Sequence, residues 1–196
     1  MTLDELKKYL TMVPTGIEQP ALGGIASVAM EAAYASVWGA NAWKVRRAEK
    51  TNLATVANQT YTSIPSDFET AIGLKVIDGT ASRSIDIVDE NSFDYDMPNP
   101  SAWTAAKPRM AKIVFADFGM ADQWRVYWYP VPEKVYTVNL VYTRKADMAK
   151  FPNLPSYMQD AVISKASSLM MKGEDRTVAE GLANVTLNRA SMSDGA

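Results

Sequence analysis

The sequence predicts an α+β protein in which N- and C-terminal helices form one helical bundle, with a small antiparallel β-sandwich or barrel inserted between them. Apolar residues recur at helical spacing toward both ends of the chain, whereas short stretches in the middle alternate between apolar and polar residues. A chain of 196 residues is long enough to bury such a core. We therefore divide the chain into residues 1–50, the N-terminal part of the bundle; 51–148, the β-insert; 149–189, the C-terminal helices; and 190–196, a flexible tail.

The sequence of the N-terminal part predicts two helices. Thr2 and Glu5 have the spacing of a capping box, which begins a short amphipathic helix over residues 2–10. Prolines and glycines interrupt the chain after it, and an alanine-rich stretch then predicts a long helix from Ala21 to about Arg47. One broad face of this helix is suited to close packing against another helix, and it consists of Ile25, Val28, Ala29, Ala32, Ala35 and Ser36.

The β-insert predicts six short strands, because turn residues separate six alternating segments. The strands are Gln59–Ile64, Ala71–Ile77, Ser84–Val88, Met110–Ala116, Trp124–Tyr129 and Val135–Thr143. The last two flank Pro130 and Pro132, and we interpret them as an antiparallel hairpin with a rigid tip. Residues 89–109 are rich in Pro, Asp and Asn, and they predict a long surface loop.

The C-terminal part predicts two more helices. Ser156 and Gln159 form a second capping-box pattern, and the apolar residues that follow share one helix face. Gly173 ends that helix, and Asp175 is a candidate cap for a last one. The last helix carries Val178, Leu182 and Val185. The polar residues from Ala190 onward predict a segment that is unfolded on its own.

The composition argues against an enzyme and against a bound cofactor. The chain has no Cys and no His, which excludes disulfides, thiolate zinc sites, cysteine nucleophiles and mechanisms that need imidazole. A net charge of −2 gives no overall basic field for nucleic acid.

The N-terminus lacks the pattern of a signal peptide, and the most apolar stretch is too short to span a bilayer. We therefore expect a soluble protein made in a cytoplasm, without membrane association.

A dense basic cluster is formed by Lys44, Arg46, Arg47 and Lys50. One interpretation is contact with the phosphates of DNA that passes nearby. The other, which the sequence favours, is that these cations complete the last turn of the preceding helix, where the helix dipole stabilises positive charge.

Two further groups of residues could carry chemistry. Asp94 and Asp96 could hold calcium or cleave a glycan, but the stretch lacks the glycine of a calcium loop, and a solvated acidic loop explains it better. The aromatic residues of the insert, among them Trp103 and Trp128, could stack on sugars or bases. Aromatic residues in strands are more often part of a core or of a protein interface.

The order of five motifs resembles the head-to-tail adaptor proteins, also called connector or neck proteins, of tailed bacteriophages. The motifs are Trp43-Lys44 at the end of the long helix, Tyr61-x-x-x-Pro65-x-Asp67-Phe68, Tyr129-Pro130-x-Pro132, Leu140-x-Tyr142, and Leu154-Pro155-x-Tyr157 at a helix start. The resemblance extends over roughly residues 21–185.

The resemblance implies a structural virion protein without catalytic activity. It implies a ring of identical subunits, usually a dodecamer, that lies on the portal protein at the neck of the virion. The ring extends the DNA channel and gives the next tail or nozzle protein a platform. Such a role requires surface rather than chemistry. The alternative function is a carbohydrate-binding or carbohydrate-cleaving β-module that uses the aromatic face and the acidic loop.

The adaptor hypothesis assigns residues to three contacts. The portal contact is placed at Arg189, Ser191, Met192 and Ser193, because an unfolded tail can become ordered on a partner. The contact with channel DNA is placed at Lys44, Arg46, Arg47 and Lys50. The contact with the tail or a neighbouring subunit is placed at Tyr95, Trp103, Pro130 and Pro132.

Overall fold

The computed structural model describes residues 19–41, 43–96, 104–116, 123–171 and 173–195. The protein is α+β, as the sequence predicts, with two β-sheets and several helices. The chain forms two compact units: the first combines residues up to Arg46 with those from Ala146 onward, and the second is Arg47–Lys145. The helix predicted over residues 2–10 lies outside the described residues.

Four α-helices are present in the described part of the chain. They are α1 (Gln19–Ala40), α2 (Glu90–Asp96), α3 (Ser156–Met170) and α4 (Gly173–Gly195). Short 3-10 turns cover Lys44–Arg46 and Met148–Asn153. Helix α2 occupies part of the predicted 89–109 loop because Asp89 caps it, accepting hydrogen bonds from the backbone N–H and the hydroxyl of Ser92.

Helix α1 ends earlier than the predicted boundary near Arg47. Donors from the residues that follow it satisfy carbonyls of its last turn, which have no intrahelical partner. The indole Nε1 of Trp43 donates to the carbonyl oxygen of Val37 at 2.7 Å, and the Nη1 of Arg46 donates to that of Trp38 at 2.9 Å. The chain therefore leaves the helix early and enters a strand directly after the 3-10 turn.

Helix α3 packs against both α1 and α4, and apolar side chains fill the contact. The large members of this core are Met30, Tyr34, Val37, Trp38 and Trp43 from α1 and the residues after it, Phe151 from the 3-10 turn, and Met158, Val162 and Met170 from α3. The ring of Phe151 meets that of Tyr34 edge-on, with the centroids 6.2 Å apart. Burial of apolar surface stabilises such a core by about 25 cal/mol per Å².

The three long helices alternate in direction. Two residues separate α3 from α4, which makes them antiparallel neighbours. Near the end of α4, Asp194 Oδ2 accepts a hydrogen bond from the backbone N–H of Lys44, just beyond the end of α1, at 2.6 Å. Its Oδ1 accepts one from the hydroxyl of Tyr157, at the beginning of α3, also at 2.6 Å. Helices α1 and α4 therefore run in the same direction, and α3 runs in the opposite one.

Residues 190–195 belong to α4, which differs from the flexible tail predicted for 190–196. Ala190 is buried in the helical core, and Asp194 is buried at the two hydrogen bonds just described. A polar sequence does not reveal these contacts, because they depend on partners far away in the chain.

Helix α3 begins at Ser156, but the predicted capping box does not form. Pro155 occupies the N-cap position without a side-chain cap. The side-chain amide of Gln159 instead donates to the carbonyl oxygens of Pro152 and Leu154, at 3.2 and 2.8 Å. Gln159 thus connects α3 to the 3-10 turn that precedes it.

The second unit contains two four-stranded sheets. The first has the order β1 (Arg47–Ala54), β8 (Thr137–Arg144), β3 (Phe68–Asp78) and β4 (Ala81–Ser84). The second has the order β2 (Tyr61–Ser63), β7 (Gln123–Tyr129), β6 (Met110–Ala116) and β5 (Asp86–Ile87). The pairing of β5 with β6 is parallel and the other pairings of these strands are antiparallel, so the expectation of a purely antiparallel insert is wrong at that edge.

Two strands differ from the sequence prediction for identifiable reasons. Strand β1 is missing from the prediction because it lies at a sheet edge with its side chains exposed or half-buried, and so it has no apolar alternation. The predicted strand Ser84–Val88 is instead divided between β4 and β5, since the chain passes from one sheet to the other at the buried Ile85.

The predicted hairpin over Trp124–Tyr142 is wrong, because β7 and β8 belong to different sheets. Other segments hold the residues that connect them. The backbone N–H of Ala106 donates to the carbonyl oxygen of Val131, and that of Asn58 donates to the carbonyl oxygen of Pro132, both at 2.8 Å. The connection is therefore a crossover between sheets and not an exposed tip.

Side chains from both sheets form one apolar core in the second unit. Its members include Leu74 and Val76 from β3, Val138, Leu140 and Tyr142 from β8, Ala111 from β6, and Val126 and Trp128 from β7. Every second residue along β8 is buried, which is the alternation that the sequence predicts for a strand with one face on a core.

Candidate interaction surfaces

Two of the sequence motifs meet at a junction between Asp67 and Tyr142. The Tyr142 hydroxyl donates a hydrogen bond to Asp67 Oδ1 at 2.9 Å, and the backbone N–H of Lys145 donates to the Asp67 carbonyl oxygen. Phe68 is buried beside them, with its ring centroid 5.0 Å from that of Trp124 and 5.8 Å from that of Tyr142. Burial, and then the hydrogen bond to the Asp67 carboxylate, raise the pKa of Tyr142 to about 12. These motif residues hold β3 against β8, so their role is structural.

Two more motifs meet where α1, α3 and α4 come together. The buried Trp43 has its ring centroid 6.5 Å from that of Tyr157. Burial, and then the hydrogen bond to Asp194, raise the pKa of the Tyr157 hydroxyl to about 12. The motifs Trp43-Lys44 and Leu154-Pro155-x-Tyr157 therefore fix the ends of the three helices, a role that the sequence does not indicate for Asp194.

The crossover that follows the Pro-x-Pro motif is fixed by Thr55 and Tyr136. Their backbones and the Thr55 hydroxyl exchange hydrogen bonds: Thr55 N–H donates to the Tyr136 carbonyl at 3.0 Å, and Tyr136 N–H donates to Thr55 Oγ1 at 2.8 Å. The Tyr136 hydroxyl donates to Glu133 Oε1 at 2.8 Å. Burial, and then this contact, raise the pKa of Tyr136 to about 12.

The predicted DNA-channel residues are divided between the two units. Lys44 and Arg46 belong to the first unit, and Arg47 and Lys50 lie on β1 in the second. Arg47 is opposite Thr143 and Lys50 is opposite Leu140 in the pairing with β8. Because side chains alternate along a strand, Arg47 and Lys50 point to different faces of β1. The four cations therefore do not form one continuous surface on a helix.

The other interpretation, in which the cluster lies in the last turn of α1, is wrong. The last turn of α1 contains no basic residue. Arg46 reaches that turn from outside, since its Nη1 donates to the carbonyl oxygens of Trp38 and Asn41, both at 2.9 Å. The side chain of Arg46 is thus held at the end of α1 by these hydrogen bonds, whereas the side chains of Lys44, Arg47 and Lys50 are exposed.

The predicted portal-contact residues lie on the last turns of α4. Arg189, Met192 and Ser193 are exposed, and Ser191 is half-buried. The hydroxyl of Ser191 donates to the carbonyl oxygen of Asn188 at 2.8 Å, so it is used within the helix.

The predicted tail-contact residues are only partly described. Trp103 lies outside the described residues, and Tyr95 is in α2 with its side chain outside them. Pro130, which follows a cis peptide bond, is half-buried, whereas Pro132 is buried. Pro132 therefore does not present a surface to a partner.

Two aromatic residues of the insert are engaged by the protein's own side chains. Trp128 is buried, and its indole N–H donates to Thr62 Oγ1 at 2.9 Å. The Lys112 ammonium lies 5.6 Å from the Tyr127 ring centroid, and it also forms an ion pair with Asp94. Trp128 is therefore not available as a stacking platform for a sugar.

Two exposed apolar stripes lie on the long helices. The one on α1 is largely the face that the sequence predicts for packing against another helix, and within this chain only Ala29 of that face is buried. On α4, Val178, Leu182 and Val185 are 65%, 62% and 48% exposed. They follow each other at intervals of four and three residues, so they form one stripe. The sequence shows this spacing but not whether the stripe faces the core or the solvent, and apolar residues at helical spacing are normally expected to face a core.

On α1, the face opposite the buried one is also apolar. Val28 is 67% exposed and Ile25 is 38% exposed, and the exposed Ala32 and Ala35 continue the same stripe. The sequence carries the signal for this second face, because α1 has apolar residues at two sets of helical positions and one neighbouring helix covers only one of them.

The described residues contain no cluster of acidic residues arranged to hold a metal ion. Nor does any described helix have the length and apolar character needed to cross a membrane.

The motif residues whose contacts are described above hold the fold together. The family model described as SU10 adaptor protein matches residues 22–190, and the chain belongs to that family. This membership makes it a structural adaptor protein and confirms the resemblance to head-to-tail adaptor proteins. A chain in the structure "Neck of empty GTA particle computed with C6 symmetry" is 18% identical, with 85% of this chain and 75% of that chain covered and a TM-score of 0.29. At that TM-score nothing about partners or symmetry follows. No curated protein matches the chain.

Proposed function

We propose that this adaptor assembles into a closed ring of identical subunits, a dodecamer, between the portal protein and the tail or nozzle proteins at the virion neck. The ring extends the DNA channel and gives the tail its docking platform. Membership of the SU10 adaptor family supports this proposal, because the match over residues 22–190 includes parts of both compact units. A ring requires a heterologous contact that closes on rotation.

The architecture that we propose for the subunit is a helical bundle with an inserted β-sandwich. The apolar core shared by α1, α3 and α4 supports the bundle. The single core to which both sheets contribute supports the sandwich.

For the portal contact, we propose the exposed end of α4, at Met192 and Ser193, with Arg189 and Ser191 beside them. Met192 is 75% exposed, so its side chain is accessible to a partner. Truncation of residues 190–196 is a poor test, because it would remove the buried Ala190 and Asp194 and so disturb the fold. Met192→Glu is the better variant, since it changes only an exposed side chain.

For the DNA channel, we propose that Lys44, Arg47 and Lys50 supply positive charge to phosphates without reading sequence. Their side chains are exposed, whereas Arg46 is held at the end of α1. For the contact with the tail or a neighbouring subunit, the proposal retains Tyr95, Trp103 and the half-buried Pro130.

The experiment that tests the proposal is a mass measurement of the full chain, alone and mixed with the portal protein of the same virion. We expect a complex that contains several copies of the chain for each portal ring. Met192→Glu should weaken attachment to the portal and leave the circular dichroism spectrum unchanged, and Asn184→Glu, which adds the same charge elsewhere on α4, should bind normally. A mixture in which the chain and the portal remain separate at every concentration would overturn the proposed function. Normal attachment of Met192→Glu would overturn the assignment of the portal contact.

A further inference from the structure

The helical unit carries two outward-facing apolar stripes, one on α4 and one on α1. The α4 stripe consists of Val178, Leu182 and Val185. The α1 stripe consists of Ile25, Val28, Ala32 and Ala35. Because α3 packs against both α1 and α4, these two helices are the outer ones of the unit, and each stripe points away from the core that the helix shares with α3.

The two stripes are complementary in size. The α4 stripe presents branched side chains, whereas the α1 stripe narrows to alanine along the helix and is followed by Gly39, where an added Cβ would meet nothing within 4 Å. Small residues let a second helix approach closely, and residues spaced by three and four fit together when helices pack at a small crossing angle.

The charges beside the stripes are complementary as well. Glu31 is the charged residue of α1 among those whose side chains are described, and it is exposed beside Val28 and Ala35, three residues before it and four after it. Arg189 continues the line of the α4 stripe and is exposed. Within the described part of the chain, neither side chain forms an ion pair.

The two stripes also lie at the same level of the helical unit. The hydrogen bond between Asp194 and the backbone of Lys44 places the ends of α1 and α4 side by side, with both helices running in the same direction. Ala32 and Val185 each lie between about two and three turns before those ends. A closed ring relates neighbours by rotation without translation along the axis, so in a ring whose helices run along its axis a parallel helix contact joins surfaces at equal height.

We infer that the α4 stripe of one subunit packs in parallel against the α1 stripe of the next copy of this chain, with Arg189 directed toward Glu31 of that copy. The inference rests on the proposed ring and names the surfaces that close it. The contact is heterologous, because it joins two different faces, and it therefore repeats around the ring instead of ending at a dimer.

The lack of cysteine in the chain allows a direct test by cross-linking. The full chain with Ala32→Cys and Val185→Cys together, treated with a short bis-maleimide, should give a ladder of covalent multimers. Both positions are exposed, so the substitutions do not disturb the core. The matched control pairs Ala32→Cys with Asn184→Cys, which is exposed on another side of α4, and it should give little product.

Each outcome of the cross-linking decides the inference. Efficient dimers from Val185→Cys alone would show α4 against α4 and overturn it. A chain that sediments as an oligomer while the double variant gives no ladder would overturn the inference but leave the ring. A chain that stays monomeric at every concentration, alone and with portal protein, would overturn both.

Two charge variants give an independent readout of the same contact. Leu182→Glu should weaken self-association by about tenfold or more, because the carboxylate would be desolvated at the contact, whereas Asn184→Glu should have little effect. Glu31→Arg and Arg189→Glu should each weaken association by about two- to fivefold, and the double variant should recover it. Equal losses in the single and double variants would overturn the pairing of these two residues.

Discussion

The hydroxyl of Tyr142 on β8 donates a hydrogen bond to the carboxylate of Asp67 at 2.9 Å, and this contact joins two motifs that are separated by 75 residues. Phe68, next to Asp67, packs its ring on Tyr142. The Asp67-Phe68 pair and the strand with Leu140-x-Tyr142 therefore complete one junction of the second unit.

Removal of this hydrogen bond should destabilise the second unit, Arg47–Lys145. We expect Tyr142→Phe to lower the free energy of unfolding by about 1.5–3 kcal/mol, because the Asp67 carboxylate loses a donor in a partly buried position. Urea unfolding measured by tryptophan fluorescence gives the value. Tyr127→Phe is the control, because no hydrogen bond of its hydroxyl is present in the described structure, and it should cost much less. Equal effects of the two variants would contradict a specific role for the Asp67 contact.

Alkaline pH should destabilise the folded protein through three tyrosines. The pKa values of Tyr136, Tyr142 and Tyr157 are raised to about 12 in the fold, from the ordinary value of 10.0. Their contribution to stability is complete below pH 10 and is lost as the pH rises toward 12, because the unfolded chain releases these protons first. Unfolding free energies measured from pH 8 to 11.5 should fall less steeply above about pH 10 for Tyr142→Phe than for the unchanged protein. Identical slopes would show that Tyr142 does not titrate differently in the fold.

Loss of the Asp194 carboxylate should make the C-terminal end of α4 less stable. Asp194→Ala removes the acceptor for Lys44 N–H and for the Tyr157 hydroxyl. We expect the free energy of unfolding to fall by at most about 1.5–3 kcal/mol for each of these hydrogen bonds, because their acceptor is a charged group. Amide hydrogen exchange should accelerate in residues 187–195 and at Lys44, whereas the amides of the second unit should keep their protection from exchange. Ser193→Ala, one position away and exposed, serves as the control. Unchanged exchange in Asp194→Ala would show that the end of α4 is held by its apolar contacts alone.

Arg46 and Lys50 should behave differently although both belong to the basic cluster. Arg46→Ala removes two hydrogen bonds to carbonyls at the end of α1, so we expect it to lower the melting temperature. Lys50→Ala removes an exposed amine on an edge strand and should leave the melting temperature within error. Calorimetry on the two variants checks this, and equal melting temperatures would show that the cap of α1 does not depend on Arg46.

The periodicity of the sequence was sufficient for the elements whose burial is one-sided. Met110–Ala116 is predicted with its observed bounds, and β3, β7 and β8 are predicted to within a few residues, because alternating apolar residues face a core. Strand β1 has exposed side chains at a sheet edge and offers no such pattern. The division of β7 and β8 between two sheets is not visible either, because two strands joined by a short connection fit a hairpin equally well.

The sequence by itself determined the α+β class, the α1, α3 and α4 helices, the absence of cysteine and histidine chemistry, and the order of motifs that marks the adaptor family. These follow from local spacing and residue type. Only the tertiary structure decided that residues 190–195 are helical and that Val178, Leu182 and Val185 face outward. The physical reason is the same for both: each depends on which distant part of the chain is present, or absent, next to a side chain, and local sequence does not contain that information.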